Sequence, residues 1–371
     1  MKFIAIKSNI KEAVSVIEKA AGENPNLPIL KNLLIVAENN TITFIATNLE
    51  IAISHKVAGK IIEDGRATVP ISLLSNLIGN IQSDRLNFEK KGNNLEIATD
   101  NYRAVLNGLP PDDFPLTPKI KDEGGHIEIK GVFLREAIQQ TTVASQFSDL
   151  RPELNSVLFN FSLESLKLAA SDGFRLAEKT LPANLFSAKK MEPFKILVPL
   201  RTSQEISRIM KDDEMVSVFR DENQVLFKTE RTELISRLTE GSFPDYTGLI
   251  PAGFAAEVTV NREEFLNAIK LAGVFGQKNS EVKMKIHHNK KAVEISSADQ
   301  SLGENVNLLA AKIKGDAEEE VLFNWRYLSD PMKSIKSEDA LIGLQEEANP
   351  ALIRSTTDAS YFYILKPILK S

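Results

Sequence analysis

Hydrophobic and polar positions follow the same order three times along this chain of 371 residues. Each repeat opens with apolar residues three or four positions apart, which is typical of a helix with one buried side. Short alternating segments, typical of strands, come next, and one of them runs into a second helix. The pattern predicts first helices that include 9–14, 133–138 and 264–269, and second helices at 71–81, 200–210 and 325–335.

Turns also recur at matching places. Thr47, Ser171 and Ser297 each end a predicted strand, and they are spaced by 124 and 126 residues. Turn-rich segments at 109–115 and 241–246 close the first two repeats. Because this period is too long for a solenoid, each repeat is predicted to be a complete α+β domain with two helices and about eight antiparallel strands. The predicted domains are 1–121, 122–252 and 253–371.

Composition limits the classes of function. Hydrophobic residues make up 43% and charged residues 26% of the chain, as in ordinary globular proteins. Because there is no cysteine, disulfides, thiolate metal sites and cysteine nucleophiles are excluded. No apolar run is long enough for a membrane span, and residues 1–7 alternate like a strand and unlike a signal peptide. We therefore expect a cytoplasmic protein that does not bind membranes.

Charge is unevenly distributed between helices and the rest of the chain. The net charge is −5, yet residues in or beside the predicted helices include eleven basic and seven acidic side chains. The helices therefore carry +4 and the remainder −9. Such a distribution suits a protein that accepts a polyanion on one surface. The alternative is an ordinary set of solvated helix faces, and the uncharged helix at 71–81 favours it.

Nothing in the sequence indicates catalysis. There is neither a phosphate-binding Gly-rich loop nor a helical pair of metal-binding histidines among His55, His126, His287 and His288. Asp172 is the best single carboxylate, but an Asp-Gly pair between strands is more often a turn. The sequence predicts no catalytic residue, no metal site and no cofactor.

Five motifs resemble the bacterial beta sliding clamp family in sequence, order and spacing, and the resemblance covers the whole chain. They are Met1-Lys2-Phe3, Leu27-Pro28-Ile29-Leu30-Lys31-Asn32-Leu33-Leu34, Thr47-Asn48-Leu49-Glu50, Ser171-Asp172-Gly173-Phe174-Arg175-Leu176-Ala177 and Phe243-Pro244-Asp245-Tyr246. The resemblance implies a non-catalytic processivity factor, the beta subunit of DNA polymerase III. Two copies would join head to tail into a ring, with helices around the hole and sheets outside.

The same resemblance implies a DNA-facing surface inside the ring. Duplex DNA carries about one charge per 1.7 Å of its axis, so a loose basic lining attracts it without reading the bases. Five basic residues point away from the apolar stripes by helical phase and are predicted to face DNA: Lys19, Arg201, Arg208, Arg326 and Lys333.

A shared pocket for partner proteins is also implied, where the replicative polymerase, the clamp loader and other clamp-motif proteins insert short apolar peptides. Carried over by position, its wall comprises Leu154, Ser171, Gly173, Phe174, Arg175, Leu176, Pro244, Leu249, Asn324, Tyr327, Ile364, Leu365, Pro367 and Ile368. Several of the apolar members would be core residues in any such domain. Phe174, Gly248 and Lys366 depart from the residues usual in the family, so we expect an altered motif preference.

Ring closure is expected between two edge strands, one near 102–106 and one near 302–308. The predicted dimer interface comprises Arg103, Ala104, Val274, Phe275 and Glu304, with Arg103 facing Glu304. Two alternatives stay open. One is a clamp-like binding protein that has lost ring closure or DNA encirclement, and the other, less favoured, is an enzyme on a three-domain scaffold.

Overall fold

The computed structural model of the chain describes residues 1–120, 125–148, 151–276, 280–315, 320–345 and 349–369. Each repeat contributes a first and a second helix, and the second helices begin where the sequence predicts and end one residue earlier. The helices are α1 (Lys7–Ile17), α2 (Ile71–Asn80), α3 (Gly131–Thr142), α4 (Leu200–Ile209), α5 (Arg262–Phe275) and α6 (Trp325–Ser334).

Within the described ranges, the three repeats contain nine, nine and eight strands. The first has β1 (Lys2–Ile6), β2 (Asn32–Glu38), β3 (Thr41–Thr47), β4 (Ile51–Val57), β5 (Gly59–Glu63), β6 (Gly65–Pro70), β7 (Arg85–Lys91), β8 (Asn94–Ala98) and β9 (Arg103–Leu106). The second has β10 (His126–Lys130), β11 (Ser156–Phe161), β12 (Ser165–Ser171), β13 (Arg175–Pro182), β14 (Phe186–Lys189), β15 (Phe194–Pro199), β16 (Met215–Arg220), β17 (Gln224–Lys228) and β18 (Thr232–Arg237). The third has β19 (Ala256–Asn261), β20 (Glu281–His287), β21 (Ala292–Asp299), β22 (Gly303–Gly315), β23 (Glu320–Asn324), β24 (Asp339–Leu344), β25 (Ala351–Ser355) and β26 (Tyr361–Leu365).

Local sequence explains where these elements begin and end. Ile10, Val14 and Ile17 form an apolar stripe along α1, and all three are buried. The side chain of Asn324 caps α6 by accepting a hydrogen bond from the backbone N–H of Arg326. Asn39, next to Asn40, has a φ of 51° in the turn between β2 and β3, a left-handed conformation that asparagine tolerates well.

The chain divides into two compact units, of which the first comprises Met1–Val132, Phe186–Met191 and Arg208–Leu238. One of its sheets has the strand order β5-β1-β7-β8-β9, and the other has the order β14-β10-β16-β17-β18-β4-β3-β2-β6. All the pairings in both sheets are antiparallel. The ladder between β4 and β18 joins the first repeat to the last strand of the second.

The second unit comprises Phe133–Leu185, Glu192–Ser207 and Thr239–Ser371. Its strands form one sheet in the order β15-β11-β12-β13-β26-β25-β24-β19-β22-β21-β20-β23. Here the ladder between β13 and β26 joins the second repeat to the last strand of the third. The fold of repeated α+β domains is therefore confirmed. The boundary predicted between 121 and 122 lies outside the described residues, and the domain bounds stay a prediction.

Candidate functional site

The candidate partner site lies in the second unit, at the turn between β12 and β13. Ser171 donates its hydroxyl to the carbonyl of Arg175 over 2.7 Å, and Gly173 takes a φ of 89°, which favours glycine. The Asp172 carboxylate accepts backbone N–H bonds from Phe174 at 2.9 Å and Arg175 at 3.1 Å. The prediction that Asp172 belongs to a turn is thus confirmed. The turn leaves the Phe174 side chain 64% exposed.

Arg175 is the buried centre of this site. Its Nε lies 2.9 Å from the Asp172 carboxylate, and its Nη1 lies 2.6 Å from the carboxylate of Asp330 on α6. The guanidinium also stacks over the ring of Tyr327, with 4.0 Å between Cζ and the ring centroid. These contacts join the turn to the first two turns of α6, whose cap is Asn324. The Arg175 side chain therefore connects the turn to Tyr327, another predicted pocket position.

A small apolar cluster lies beside the turn. Leu176 and Ile364 are paired across the ladder of β13 and β26, and both are buried in this cluster with Tyr246. The Tyr246 hydroxyl donates to the buried carboxylate of Glu178 over 2.5 Å. Burial, followed by the hydrogen bond and negative charge of Glu178, raises the pKa of Tyr246 above its ordinary value. The phenol therefore stays protonated and holds the segment that follows β18 on the sheet.

The remaining predicted pocket residues lie on neighbouring segments of the same unit. Pro244 and Leu249 flank Tyr246 and are exposed, Leu249 by 45%. Leu365 ends β26, and Pro367 and Ile368 follow it; Ile368 bridges to β23 through a 2.8 Å backbone bond to Leu322. Leu154 is buried ahead of β11, and its carbonyl accepts a 2.8 Å hydrogen bond from Ser145.

Four of the five predicted DNA-facing residues occupy equivalent positions in two helices. Arg201 and Arg326 are the second residues of α4 and α6, and Arg208 and Lys333 are the ninth. All four side chains are exposed. Because seven residues are almost two turns, each pair lies on one face of its helix, about 10 Å apart. The equivalent positions of α2 hold Ser72 and Gly79, both also exposed.

Lys19 differs from the other four predicted DNA-facing residues. It lies beyond α1 in a short 3-10 helix, Glu18–Ala20, and its ammonium is 3.2 Å from the Glu18 carboxylate. Helical phase extended from α1 therefore does not describe its direction, because a 3-10 turn has three residues per turn instead of 3.6.

The two predicted edge strands are described in separate units. β9 is the last strand of its sheet, and Arg103 on it pairs with Glu96 of the neighbouring strand at 2.7 Å. β22 pairs with β21 through residues 303–310, and its pairing with β19 begins only at Ala311. Within the described residues, one edge of 303–310 is thus open, and Val306 on it is 60% exposed. Val274, at the end of α5, is 53% exposed.

Sequence reasoning missed two ion pairs, each between a helix of one repeat and the segment that follows a helix of the next repeat. In the first unit Glu12 of α1 pairs with Lys211 beyond α4, and in the second unit Glu136 of α3 pairs with Lys336 beyond α6. The hydrogen bond from Lys211 lowers the pKa of Glu12 despite partial burial, which opposes the shift. The signal that could have revealed both pairs is the equivalence of their positions in the repeats.

Three family models match the chain in succession. The DNA polymerase III beta subunit N-terminal domain matches residues 1–118, the central domain matches 128–245 and the C-terminal domain matches 247–368. The chain belongs to the bacterial beta sliding clamp family. A clamp of this family from Bacillus subtilis is 27% identical, and one from Synechococcus elongatus is 24% identical, with 99% of each chain covered in both cases.

Solved structures of beta sliding clamps agree with the fold. The structure of the DNA polymerase sliding clamp from Bacillus subtilis has a TM-score of 0.93 at 27% identity and covers 100% of both chains. The DNA polymerase III beta subunit of Thermotoga maritima gives 0.91 at 23% identity, also over 100% of both. Among the described residues of this clamp-family chain, no helix is both long and apolar enough to cross a membrane.

Proposed function

We propose that the chain is a DNA sliding clamp that acts in the cytoplasm as a ring of two copies. It encircles duplex DNA without sequence specificity, tethers the replicative polymerase, the clamp loader and other partner proteins, and catalyses no reaction. The single observation that carries this proposal is the succession of three beta-subunit domain models along the chain. The repeated fold and the exposed basic residues of α4 and α6 support it.

The basic residues of the helices provide the attraction for DNA. By the helix bounds, the six helices hold nine basic and six acidic residues, whereas the whole chain carries −5. Two of those acids, Glu12 and Glu136, are paired with lysines beyond the helices. Arg201, Arg208 and their equivalents on α6 are exposed, and we propose that they contact phosphates. Such contacts hold a duplex loosely and permit sliding.

The turn around Arg175 provides the partner site. Phe174 and Leu249 offer exposed apolar surface, and the buried Leu176 and Ile364 lie on the sheet beside them. An apolar peptide that binds here removes that surface from water, which is the main driving force for such docking. Lys366 is exposed where its backbone N–H bonds to the Phe174 carbonyl at 2.9 Å. Its charge supports the proposal of an altered motif preference.

The ladders between repeats support the predicted interface between copies. β4 pairs with β18, and β13 pairs with β26, in the same antiparallel register. The equivalents of these strands in the third and first repeats are β22 and β9, which both have an open edge. We align the pairs Ala52–Ile235 and Leu176–Ile364 with Glu304 and Val105.

In this register Arg103 lies opposite Val306 and diagonal to Glu304, within reach of that carboxylate. Ala104 lies opposite Asn305. Val274 and Phe275 are the thirteenth and fourteenth positions counted from the start of α5. Their equivalents after α3, Val143 and Ala144, pack against the core cluster of the third repeat. That packing supports the predicted interface.

Retention on DNA tests the proposed function. The full chain is loaded on circular and on linear DNA by an active clamp loader, and the salt concentration is then raised until ordinary binding to phosphates is abolished. We expect the protein to stay on the circle and to leave the linear DNA over its ends. Equal dissociation from both would refute encirclement and indicate a clamp-like binding protein without a closed ring.

A further inference from the structure

The two helix ion pairs occupy identical positions in their repeats. Glu12 and Glu136 are the sixth residues of α1 and α3. Lys211 and Lys336 each lie two residues beyond the last residue of α4 and α6. The Lys336 ammonium is 2.7 Å from the Glu136 carboxylate. The first pair joins the same two repeats as the β4–β18 ladder, and the second joins the same two repeats as the β13–β26 ladder. We call each combination of ladder and ion pair a junction.

The same positions in the two remaining helices, α5 and α2, hold uncharged residues. The sixth residue of α5 is Asn267, and the residue two beyond the end of α2 is Gln82. Both side chains are exposed. The segment between α2 and β7 has the same length as that between α6 and β24, which places Gln82 as Lys336 is placed. Neither position carries a charge.

We propose that Asn267 of one copy faces Gln82 of a second copy, so that the junction between copies lacks the ion pair that braces each junction within the chain. This inference rests on the proposed ring of two copies. It makes the junction between copies the one of the three without a Glu–Lys pair at this helix position, so salt and pH do not act on it through such a pair. The ring therefore opens there without breaking a Glu–Lys pair.

Installing the missing pair tests the proposal. The variant Asn267→Glu with Gln82→Lys places a Glu–Lys pair at each of the two junctions of the dimer. Exposed ion pairs of this kind typically strengthen an association by about 1.4- to 5-fold each, so the dimer Kd should fall by about 2- to 30-fold at low salt. The Kd is measured by sedimentation of the full chain without DNA. The gain should shrink as salt is added, since screening weakens exposed pairs.

Matched variants separate a specific pair from a general charge effect. Each single substitution, Asn267→Glu or Gln82→Lys, should leave the Kd unchanged or raise it. The control Asn267→Glu with Ser72→Lys carries the same charges, but Ser72 lies at the start of α2, about 12 Å along the axis from Asn80, and Gln82 lies beyond its end. It should not tighten the dimer. A mixture of the two single variants should form heterodimers above the statistical fraction, because one junction then holds the pair.

The outcomes distinguish this inference from the proposed function. If the parent chain dimerises and the paired variant has the same Kd as the Ser72 control, the inference is overturned and the proposed ring is unaffected. Absence of coupling between the two substitutions in the four-variant cycle would do the same. If the parent chain is monomeric at every concentration and is not retained on circular DNA, the proposed ring itself fails.

Discussion

Replacing Arg175 by methionine removes the buried charge that joins the β12–β13 turn to α6 while keeping most of the aliphatic stem. Arg175 is 8% exposed, and the Asp172 side chain that it pairs with is also 8% exposed. Asp330, its second partner, is 23% exposed. The substitution therefore leaves two largely desolvated carboxylates without their cation.

The expected cost follows from these contacts. Removing one partner of a buried ion pair typically costs about 3–5 kcal/mol, because the remaining charge is uncompensated. Removal of the stacking on Tyr327 adds about 0.5–2 kcal/mol. Asp172 keeps its two backbone hydrogen bonds, and Asp330 keeps a 3.0 Å contact with Lys333. We therefore place the expected loss in the free energy of unfolding near the lower value, about 3 kcal/mol.

The assay uses the only tryptophan of the chain. Trp325 is the first residue of α6 and packs against the core cluster of the second unit, so its fluorescence reports the unfolding of that unit. With a urea m-value of about 3 kcal/mol/M, a loss of about 3 kcal/mol lowers the transition midpoint by about 1 M. Arg175→Lys, which keeps the charge but not the two-pronged geometry, should lose less.

A double variant tests the cause of the loss. Asp330→Asn in the Arg175→Met background removes one uncompensated carboxylate, so it should recover part of the stability. A midpoint lowered by less than about 0.3 M in Arg175→Met would refute the reasoning, since that shift corresponds to less than about 1 kcal/mol. So would a double variant that is less stable than Arg175→Met, because the anion would then not be the source of the cost.

Three further predictions concern other parts of the chain. Tyr246→Phe should cost about 1–3 kcal/mol in urea unfolding followed by tryptophan fluorescence, because the buried Glu178 carboxylate loses a donor. The pKa of Glu12 is lowered below its ordinary 4.5, so its pair stabilises the fold above that pH and this contribution is lost as the pH falls through the folded value. Glu12→Gln should therefore be less stable than the parent at pH 6, with a gap that closes below pH 4.5; a constant gap would count against the pair. Arg201→Ala with Arg326→Ala should reduce the salt slope of binding to linear duplex DNA by about 0.9 for each phosphate that is no longer neutralised, and an unchanged slope would exclude these residues as DNA contacts.

The helices were predictable because their signals are local. The apolar stripe indicates α1, and the predicted first residues of α2, α4 and α6 are confirmed. Each kind of helix recurs in all three repeats, and this recurrence supports every helix assignment. Lys19 shows the limit of this reasoning: the change from an α-helix to a 3-10 helix at Glu18 has no clear sequence signal, yet it redirects every later side chain.

Long-range contacts were not predictable from local pattern. The motif around Arg175 placed its turn correctly, but nothing near it in sequence indicates a partner 155 residues away in Asp330. Arg103 is the reverse case, because its partner within the chain lies close to it in sequence. Its predicted partner was Glu304, whereas within the chain its cation is held by Glu96 on the adjacent strand. A cross-strand neighbour at short sequence distance competes with any intermolecular partner.

The helix α2 contains no charged residue, unlike its equivalents α4 and α6. At the positions where α4 and α6 carry basic residues, α2 has Ser72 and Gly79, and Gln82 follows where the other two helices are followed by lysine. Packing does not require the glycine, because open space surrounds the position where its Cβ would lie. A glycine inside a helix costs about 1 kcal/mol relative to alanine. In the proposed ring α2 borders the junction between copies. A neutral helix there removes both the brace that would oppose opening and the cations that would hold a duplex as it passes.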